Sequence, residues 1–273
     1  MIPVTAIMQH RETAPWRTNQ MVEQDLLICR ALVAIYSDEF LAKRLVFRGG
    51  TALHKLFFSS QLRYSEDLDF VQINPEPIKD TFDHLWDVLS FLGKAKVKQK
   101  RHNNDIIFRV QSEDDPEQTL RLKVEINCME HFHVLPLQEK DFRVENQWFS
   151  GACRLTTYQL SELIGTKLRA LFQRRKGRDL FDLYVALTRT DGEINVDDVL
   201  DCYQRYMEFT TDHLPTYKEY VLNMEEKLQD SEFAGDTAQL IDSSMVFNPE
   251  ETYRLVKEML IDKLPGERWE NQR

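Results

Sequence analysis

The N-terminal part of the chain has patterns typical of a helix, a buried strand and a second helix. From about Gln20 to Phe40 the apolar residues recur at helical spacing, which predicts an amphipathic helix. The apolar run Leu45 to Phe47 has the length of a short buried strand and leads into the pair Gly49-Gly50. Because glycine tolerates positive φ, this pair predicts a tight turn, and a helix over Thr51 to Phe58 should follow it.

The pattern then changes to a period of two. In the segment Asp67 to Val71, carboxylates alternate with apolar residues. A strand here would direct Asp67 and Asp69 to one side and Leu68 and Phe70 into a core. The sequence therefore predicts a strand that presents two carboxylates on one face.

The middle of the chain is predicted to be rich in β-structure. A helix over Ile78 to Leu92 should end at Gly93. The segment Lys94 to Lys100 carries lysine at every second position, which is typical of a strand with one basic face. Two further strands are predicted over Ile106 to Val110 and Leu120 to Cys128, separated by an acidic turn.

From Tyr158 onward the pattern is mostly helical. Helices are expected near residues 157 to 174, 178 to 189, 196 to 208, 214 to 229 and 250 to 263. We place a boundary near Gly151, which divides the chain into a first lobe of residues 1 to 150 and a helical lobe of residues 151 to 273.

Composition is that of an ordinary globular protein. The chain has 273 residues, of which 42% are hydrophobic and 29% charged, so it can bury a sizeable core. No run approaches the roughly 18 apolar residues of a membrane span. The N-terminus lacks the pattern of a secretory signal, so we expect a cytoplasmic protein with no membrane partner. The cysteines have no CxxC spacing and predict neither a zinc site nor a disulfide framework.

Charge limits the class of partner. The formal net charge of −10 argues against a protein that coats nucleic acid over its whole surface, since such binding relies on Lys and Arg. Two local basic patches could still contact an RNA backbone. The first consists of Lys94, Lys96, Lys98, Lys100 and Arg101, and the second of Lys167, Arg169, Arg174, Arg175, Lys176 and Arg178.

Candidate chemistry is concentrated between Phe47 and Phe70. The turn Gly49-Gly50 followed by Thr51 can present backbone N–H groups to an anion where a helix begins. Asp67 and Asp69 on one strand face suit Mg²⁺, which takes oxygen ligands and leaves other positions to water and phosphates. Together the two features favour a metal and phosphate site over a solvated loop.

Lys167 stands out within the second basic patch. It lies inside a stripe of apolar residues between Leu160 and Leu171. Because burying an unpaired ammonium is costly, this lysine must meet a carboxylate, extend its charge to solvent, or project into a cleft that holds an anion. The neighbouring cations are more typical of a solvated helix end: Arg169, Arg174, Arg175 and Lys176.

His131 and His133 flank Phe132 and could share one strand face. Two histidines so placed could bind zinc, but no further ligands occur at suitable spacing. We interpret both as structural.

Three sequence features together resemble a known family. They are a hydrophobic residue before Gly49-Gly50-Thr51, the short helix after it, and the segment Arg63 to Phe70 with sequence RYSEDLDF. This combination resembles the nucleotidyltransferase toxins of the AbiEii/AbiGii family, within the DNA polymerase β-like nucleotidyltransferase superfamily. The resemblance extends from about Val22 to Leu187. It implies an α+β fold: a small mixed β-sheet with flanking helices, then a C-terminal helical lobe that closes the active-site cleft.

The resemblance also implies a reaction and a metal. An NMP group would pass from an NTP to an acceptor hydroxyl with release of pyrophosphate, and Asp67 and Asp69 would hold Mg²⁺. The superfamily commonly has a third carboxylate on an adjacent strand, and Glu125 is the candidate here, as a metal ligand or as the proton acceptor. Alternation places Glu125 on one face with Lys123, so the two could instead decorate a solvent face.

The remaining candidate residues follow from the same resemblance. Gly49, Gly50 and Thr51 would contact the phosphates, and Lys167 would stabilise charge on the leaving pyrophosphate. The segment Arg178 to Tyr184 is similar to the family's RDxxD element, which makes Asp179 and Asp182 supporting site residues. Acidic residues near a helix start are also favourable without catalysis, and Arg178 could be their ion-pair partner.

The resemblance implies partners as well. Studied members of the family are toxins of toxin–antitoxin systems, and some add nucleotides to the 3′ end of tRNA, so we expect an NTP, a tRNA acceptor and a cognate antitoxin. Two alternatives stay open. One is an enzyme of the same fold that acts on a small molecule such as an aminoglycoside, or on protein. The other is a non-catalytic binding module.

Overall fold

A computed structural model describes residues 2–99, 103–190, 194–241, 245 and 247–267. The chain forms two compact units, Met1–Tyr158 and Gln159–Arg273. Gly151 lies inside the first unit, on a strand. Among the described residues, no helix has both the length and the apolar character needed to cross a membrane.

The first unit is built on one mixed sheet. Its strands are β1 (Leu45–Arg48), β2 (Asp67–Gln72), β3 (Ala95–Gln99), β4 (Asn103–Gln111), β5 (Thr119–Asn127), β6 (Gln138–Glu145) and β7 (Ser150–Thr157). They lie in the order β3-β4-β5-β2-β1-β7-β6. The β2–β5 and β1–β7 pairs are parallel, and the other pairs are antiparallel. This confirms the predicted α+β class with a mixed sheet and flanking helices. Lys100 and Arg101, predicted to extend the basic face of β3, lie outside the described residues.

The helices of the first unit are α1 (Val4–His10), α2 (Asn19–Ser37), α3 (Glu39–Ala42), α4 (Gly49–Leu56), α5 (Ile78–Val88) and a short 3-10 helix (Ser90–Leu92). The single helix predicted over Gln20 to Phe40 is divided at Asp38. The carboxylate of this residue accepts the backbone N–H of Leu41 at 2.8 Å and so begins a new helix. The single helix predicted over Ile78 to Leu92 is also divided: α5 ends at Val88, and Gly93, with φ of 79°, ends the 3-10 helix that follows.

Helix α2 covers one face of the sheet. The Tyr36 ring lies 6.2 Å from the ring of Phe70, and its hydroxyl donates to the carbonyl of Leu45 at 3.0 Å. Phe47 and Phe70 are paired in register and fully buried on this face. Because side chains alternate along a strand, the opposite face of β1 and β2 carries Val46, Arg48, Asp67, Asp69 and Val71.

The hairpin of β6 and β7 was not predicted. In β6 most alternate positions are exposed, and several carry charge, as expected for a strand at the edge of a sheet. Its hydrophobic alternation is therefore weak. A pattern of apolar positions cannot detect a strand that is stabilised chiefly by backbone pairing with β7.

The second unit is helical. It contains α6 (Leu160–Gln173), α7 (Gly177–Arg189), α8 (Val196–Thr210), α9 (Tyr217–Leu228), α10 (Ser231–Gly235), α11 (Pro249–Met259) and a 3-10 helix (Ile261–Lys263). The five predicted helices correspond to α6, α7, α8, α9 and α11. The short α10 was not predicted.

Candidate active site

The turn between β1 and α4 requires its first glycine for two reasons. Gly49 has φ of +80°, which L-residues with side chains rarely adopt. A Cβ at this position would also overlap the Oδ2 atom of Asp69. The turn therefore brings the start of α4 directly against a carboxylate of β2, and the first N–H groups of a helix have no acceptor within the helix.

The hydroxyl of Thr51 ties α4 to the beginning of β2. Thr51 is buried, and its Oγ1 atom lies 2.5 Å from the carbonyl oxygen of Asp67 and 2.8 Å from Oγ of Ser65. Because a carbonyl only accepts, Thr51 donates to Asp67, and the Ser65 hydroxyl then donates to Thr51. The hydroxyl thus positions the turn, which leaves the backbone N–H of Thr51 as the group that could meet a phosphate.

Three carboxylates lie on neighbouring positions of β2 and β5. Asp69 is paired in register with Glu125, and Asp67 with Lys123. The Nζ atom of Lys123 lies 2.9 Å from Oδ2 of Asp67 and 3.0 Å from Oε2 of Glu125. Glu125 therefore lies beside Asp69 on the acidic face, which we define as the sheet face that carries Asp67, Asp69 and Glu125.

The pKa of Asp69 is raised to about 6. Burial is the largest cause, and the negative charges of Asp67 and Glu125 add to it. Lys123 and Arg48 act in the opposite direction. Because two neighbouring carboxylates repel the charge of Asp69, a cation that binds beside it would stabilise its ionised form.

The donor set fits Mg²⁺. The Oδ1 atom of Asp67 is buried without a hydrogen-bond donor among the described residues, and Nη1 of Arg121 lies 3.9 Å from it. A buried carboxylate oxygen in this state is costly unless a ligand meets it. The three carboxylates supply hard oxygen ligands on one face. Their oxygens do not all lie within 4.8 Å of one another in the described chain, and Lys123 supplies the compensating charge between Asp67 and Glu125.

The sequence pattern did not identify several residues that lie beside the three carboxylates. Asn103 of β4 donates to Oε1 of Glu125 at 2.6 Å, and Asp105 of β4 is paired in register with Glu125. On β1, Arg48 is paired in register with Asp69 and forms an ion pair with Glu130. Strand alternation indicates which residues share a face, but only the strand order shows that β4, β5, β2 and β1 are neighbours.

Lys167 lies in the second unit between two buried carboxylates. Its Nζ atom is 2.7 Å from Oδ2 of Asp182 and 3.1 Å from Oδ1 of Asp179. Arg174 completes the cluster, with Nε at 2.6 Å and Nη2 at 2.7 Å from Asp179. Burial alone would raise the pKa of Asp179, but Lys167 and Arg174 hold it below its usual range. Of the three environments expected for Lys167, the structure contains the carboxylate partner.

Two interpretations of the second basic patch were wrong. Arg169 is buried rather than solvated, and its guanidinium lies 5.1 Å from the ring centre of Tyr206. Arg178 pairs with Asp236, with Nε at 3.7 Å from Oδ2, and the cations paired with Asp179 are Lys167 and Arg174. The other cations of the patch are also paired: Arg175 with Glu226 and Asp230, and Lys176 with Asp236.

His131 and His133 lie in the loop between β5 and β6 and not on a strand face. The Nδ1 atom of each ring is 2.8 Å from a backbone carbonyl, that of Gln72 for His131 and that of Leu135 for His133. These contacts anchor the two rings to the backbone.

A second polar cluster is buried at α1 and α2. Among the described residues, the group whose ligand atoms all lie within 4.8 Å is His10, Asp25 and Cys29. The Lys55 ammonium already contacts Asp25 at 2.9 Å and Cys29 at 3.3 Å. Burial alone would lower the pKa of His10, but Asp25 and Cys29 raise it to about 9. Lys55 thus supplies the cation in this cluster, which fits an ion-pair network better than a metal centre.

Comparison with known proteins identifies one matching family. The sequence profile described as "Nucleotidyl transferase AbiEii toxin, Type IV TA system" matches residues 30–269 of the chain. A search of curated proteins found no match.

Several solved structures share the fold. MenT4, a nucleotidyltransferase toxin from Mycobacterium tuberculosis H37Rv, is 17% identical with a TM-score of 0.69, over 97% of this chain and 91% of that one. JHP933 from Helicobacter pylori is 19% identical with a TM-score of 0.56, over 89% of this chain and 90% of its own. A putative nucleotidyltransferase from H. pylori is 20% identical with a TM-score of 0.55, over 89% and 93%.

Proposed function

The chain belongs to the AbiEii family of nucleotidyltransferase toxins of type IV toxin–antitoxin systems, and on that premise we propose that it transfers an NMP group to the 3′ end of tRNA in a Mg²⁺-dependent reaction. The acceptor hydroxyl attacks the α-phosphorus of an NTP, the bond to the β-phosphate breaks, and pyrophosphate leaves. The hydroxyl proton passes to a base. The observation that carries the proposal is the register pairing of Asp69 with Glu125 beside the buried, unsatisfied Oδ1 of Asp67.

We assign Asp67 and Asp69 to hold the metal. When bound, Mg²⁺ neutralises phosphate charge and aligns the reacting groups. The turn at Gly49 and Gly50 is assigned to the triphosphate, because a helix start offers N–H groups to an anion. Glu125 is assigned as the third carboxylate and as the acceptor of the hydroxyl proton. Its two oxygens meet Asn103 and Lys123, and these contacts fix its orientation.

Lys167 and its carboxylate partners are assigned a supporting part. In the second unit the lysine is held by Asp179 and Asp182. A lysine that stabilises charge on a leaving pyrophosphate must share its donors with these carboxylates. We therefore propose that Asp179 and Asp182 orient Lys167 rather than react themselves.

The basic face of β3 is the better candidate for RNA contact. Lys96 and Lys98 are exposed, and the register of β3, β4 and β5 places Lys98 in one row with Asp105 and Glu125. The lysines therefore share the acidic face. In the second basic patch the cations from Arg174 to Arg178 are engaged by carboxylates, so they offer less uncompensated charge to phosphates.

The proposal is tested by incubating the protein with each labelled NTP, Mg²⁺ and total tRNA. Label at the tRNA 3′ end supports it. Label transfer to a protein or to a small cationic acceptor, with none to tRNA, would remove the tRNA acceptor and favour the alternatives. Absence of Mg²⁺-dependent transfer to any acceptor would contradict the metal assignment.

A further inference from the structure

A cavity of about 340 Å³ opens on the acidic face, with two valines of β1 and β2 in its lining. Val46 and Val71 line it and are paired with each other across β1 and β2. Val46 is two residues from Arg48, and Val71 is two residues from Asp69. At about 3.3 Å per residue, the lining therefore begins roughly 7 Å along the strand from Asp69.

The loop of residues 128–137 encloses this cavity and is anchored at several points. The Oδ1 atom of Asn127 accepts the N–H groups of Met129 at 2.9 Å and Glu130 at 2.8 Å, which turns the chain after β5. Glu130 then pairs with Arg48 of β1, and His131 bonds the carbonyl of Gln72 at the end of β2. The Arg48–Glu130 ion pair thus stands between the carboxylates and the cavity. Burial alone would lower the pKa of Arg48, but Glu130 raises it above its usual range, so the pair is ionised.

Two histidines give the cavity a defined hydrogen-bonding character. His131 and His133 both line it, and each commits Nδ1 to a backbone carbonyl at 2.8 Å. Because a carbonyl only accepts, Nδ1 of each ring carries a proton and donates it. In the neutral form of either ring, Nε2 is then an acceptor for a ligand.

The remaining lining combines apolar and polar groups. Phe132, Leu137 and Tyr158 supply aromatic and aliphatic surface, the valines add the aliphatic part of the sheet face, and Asn74 and Glu130 add polar side chains. Small-molecule sites combine such apolar walls with a few polar groups, in volumes of about 300 Å³ and above. A heteroaromatic ring with an N–H donor matches both the walls and the acceptors.

We propose that this cavity is the subsite for the base and ribose of the NTP, and that Nε2 of its histidines accepts N–H donors on the edge of the base. The inference rests on the proposed function, since it takes the triphosphate to lie at Asp67 and Asp69. Each of the four bases carries at least one such donor, either an exocyclic amino group or a ring N–H, so the cavity can receive any of them.

The test separates the base from the phosphates. Binding of Mg²⁺ with each NTP, and of Mg²⁺ with inorganic triphosphate, is measured by calorimetry for the wild type and for Val71→Phe, which fills the cavity. Val71→Ile is the matched control, because it adds one methylene at the same position. We expect Val71→Phe to weaken NTP binding by about tenfold or more while triphosphate binding stays within about twofold. Val71→Ile should bind both ligands like the wild type, and His133→Ala should weaken NTP binding while triphosphate binding stays unchanged.

The possible failures are distinguishable. If Val71→Phe binds NTPs as tightly as the wild type, the subsite is wrong and the proposed function stands. If the wild type binds neither NTP nor triphosphate in the presence of Mg²⁺, the proposed function fails and the subsite fails with it. Circular dichroism checks the fold of each variant. If Val71→Phe does not fold, His133→Phe replaces it, because this change fills the same cavity from the loop.

Discussion

Asp69 of β2 and Glu125 of β5 stand directly opposite each other on parallel neighbouring strands. Their side chains share one face, and Asp67 lies two residues away on the same face. Burial, together with the negative charges of Asp67 and Glu125, raises the pKa of Asp69 to about 6. Without a bound cation, this cluster of carboxylates therefore destabilises the folded state, as is common at functional sites.

Removing the charge of Asp69 should stabilise the protein. The ordinary pKa of Asp is 3.8 and the folded value is about 6, so the folded state binds this proton more tightly. The resulting stability is fully present below pH 3.8 and is lost as the pH rises through 6. Asp69→Asn should raise the free energy of unfolding at pH 7.5, without divalent metal, by about 1–3 kcal/mol. Urea denaturation measures this. Equal stabilities at pH 7.5, or a gain that is larger at pH 4.5, would contradict the assigned pKa.

Lys123 should set the pH dependence of the acidic face. It lowers the pKa of Asp69 and pairs with Asp67 and Glu125. Lys123→Met should move the acid limb of kcat/KM to higher pH by about one unit. Lys79→Met is a control, because Lys79 is an exposed residue of α5 that pairs with Asp83. An acid limb that shifts equally in both variants, or in neither, would contradict this role for Lys123.

The sequence predicted the central part of the site because that part is local. The glycine pair, the helix after it and the alternation from Asp67 to Phe70 all lie within one short segment. The side chains that contact these carboxylates come from other strands: Asn103, Lys123 and Arg48. Their proximity to the site depends on the strand order, which the sequence pattern does not show. The same holds for the cavity, whose lining comes from β1, β2 and a loop without hydrophobic periodicity. Arg169 was misjudged because its charge suggested solvent, whereas its burial depends on packing against Tyr206 of α8.

The buried cluster at Lys167 should be essential for the stability of the helical unit. Lys167→Met leaves Asp182 buried without this partner, which should cost about 3–5 kcal/mol. The double variant Lys167→Met/Asp182→Leu should recover most of that loss, as thermal unfolding would measure.

The same double variant separates a structural role of Lys167 from a functional one. If the lysine stabilises the leaving pyrophosphate, the refolded double variant should have a kcat lower by about two orders of magnitude. A double variant that is both stable and fully active would restrict Lys167 to an ion-pair role.

The basic face of β3 should contribute to RNA binding and not to NTP binding. Lys96→Gln/Lys98→Gln should raise the KM for tRNA and lower the slope of log affinity against log salt by about two, one for each phosphate contact. The KM for NTP should stay unchanged. Arg175→Gln/Lys176→Gln is the matched control, since both cations are already paired with carboxylates. A larger loss of tRNA affinity in the control would move the RNA contact to the second basic patch.

The most direct test of the metal and carboxylate site is NMP transfer by the wild type and by Asp69→Asn, which keeps the shape of the side chain and removes its charge. Transfer is followed as label on tRNA and as released pyrophosphate, with and without Mg²⁺. We predict Mg²⁺-dependent transfer by the wild type and a rate lower by about three orders of magnitude in Asp69→Asn, because several kcal/mol of transition-state stabilisation are lost with the metal. Transfer by Asp69→Asn at the wild-type rate, or wild-type transfer that is indifferent to Mg²⁺, would contradict the account.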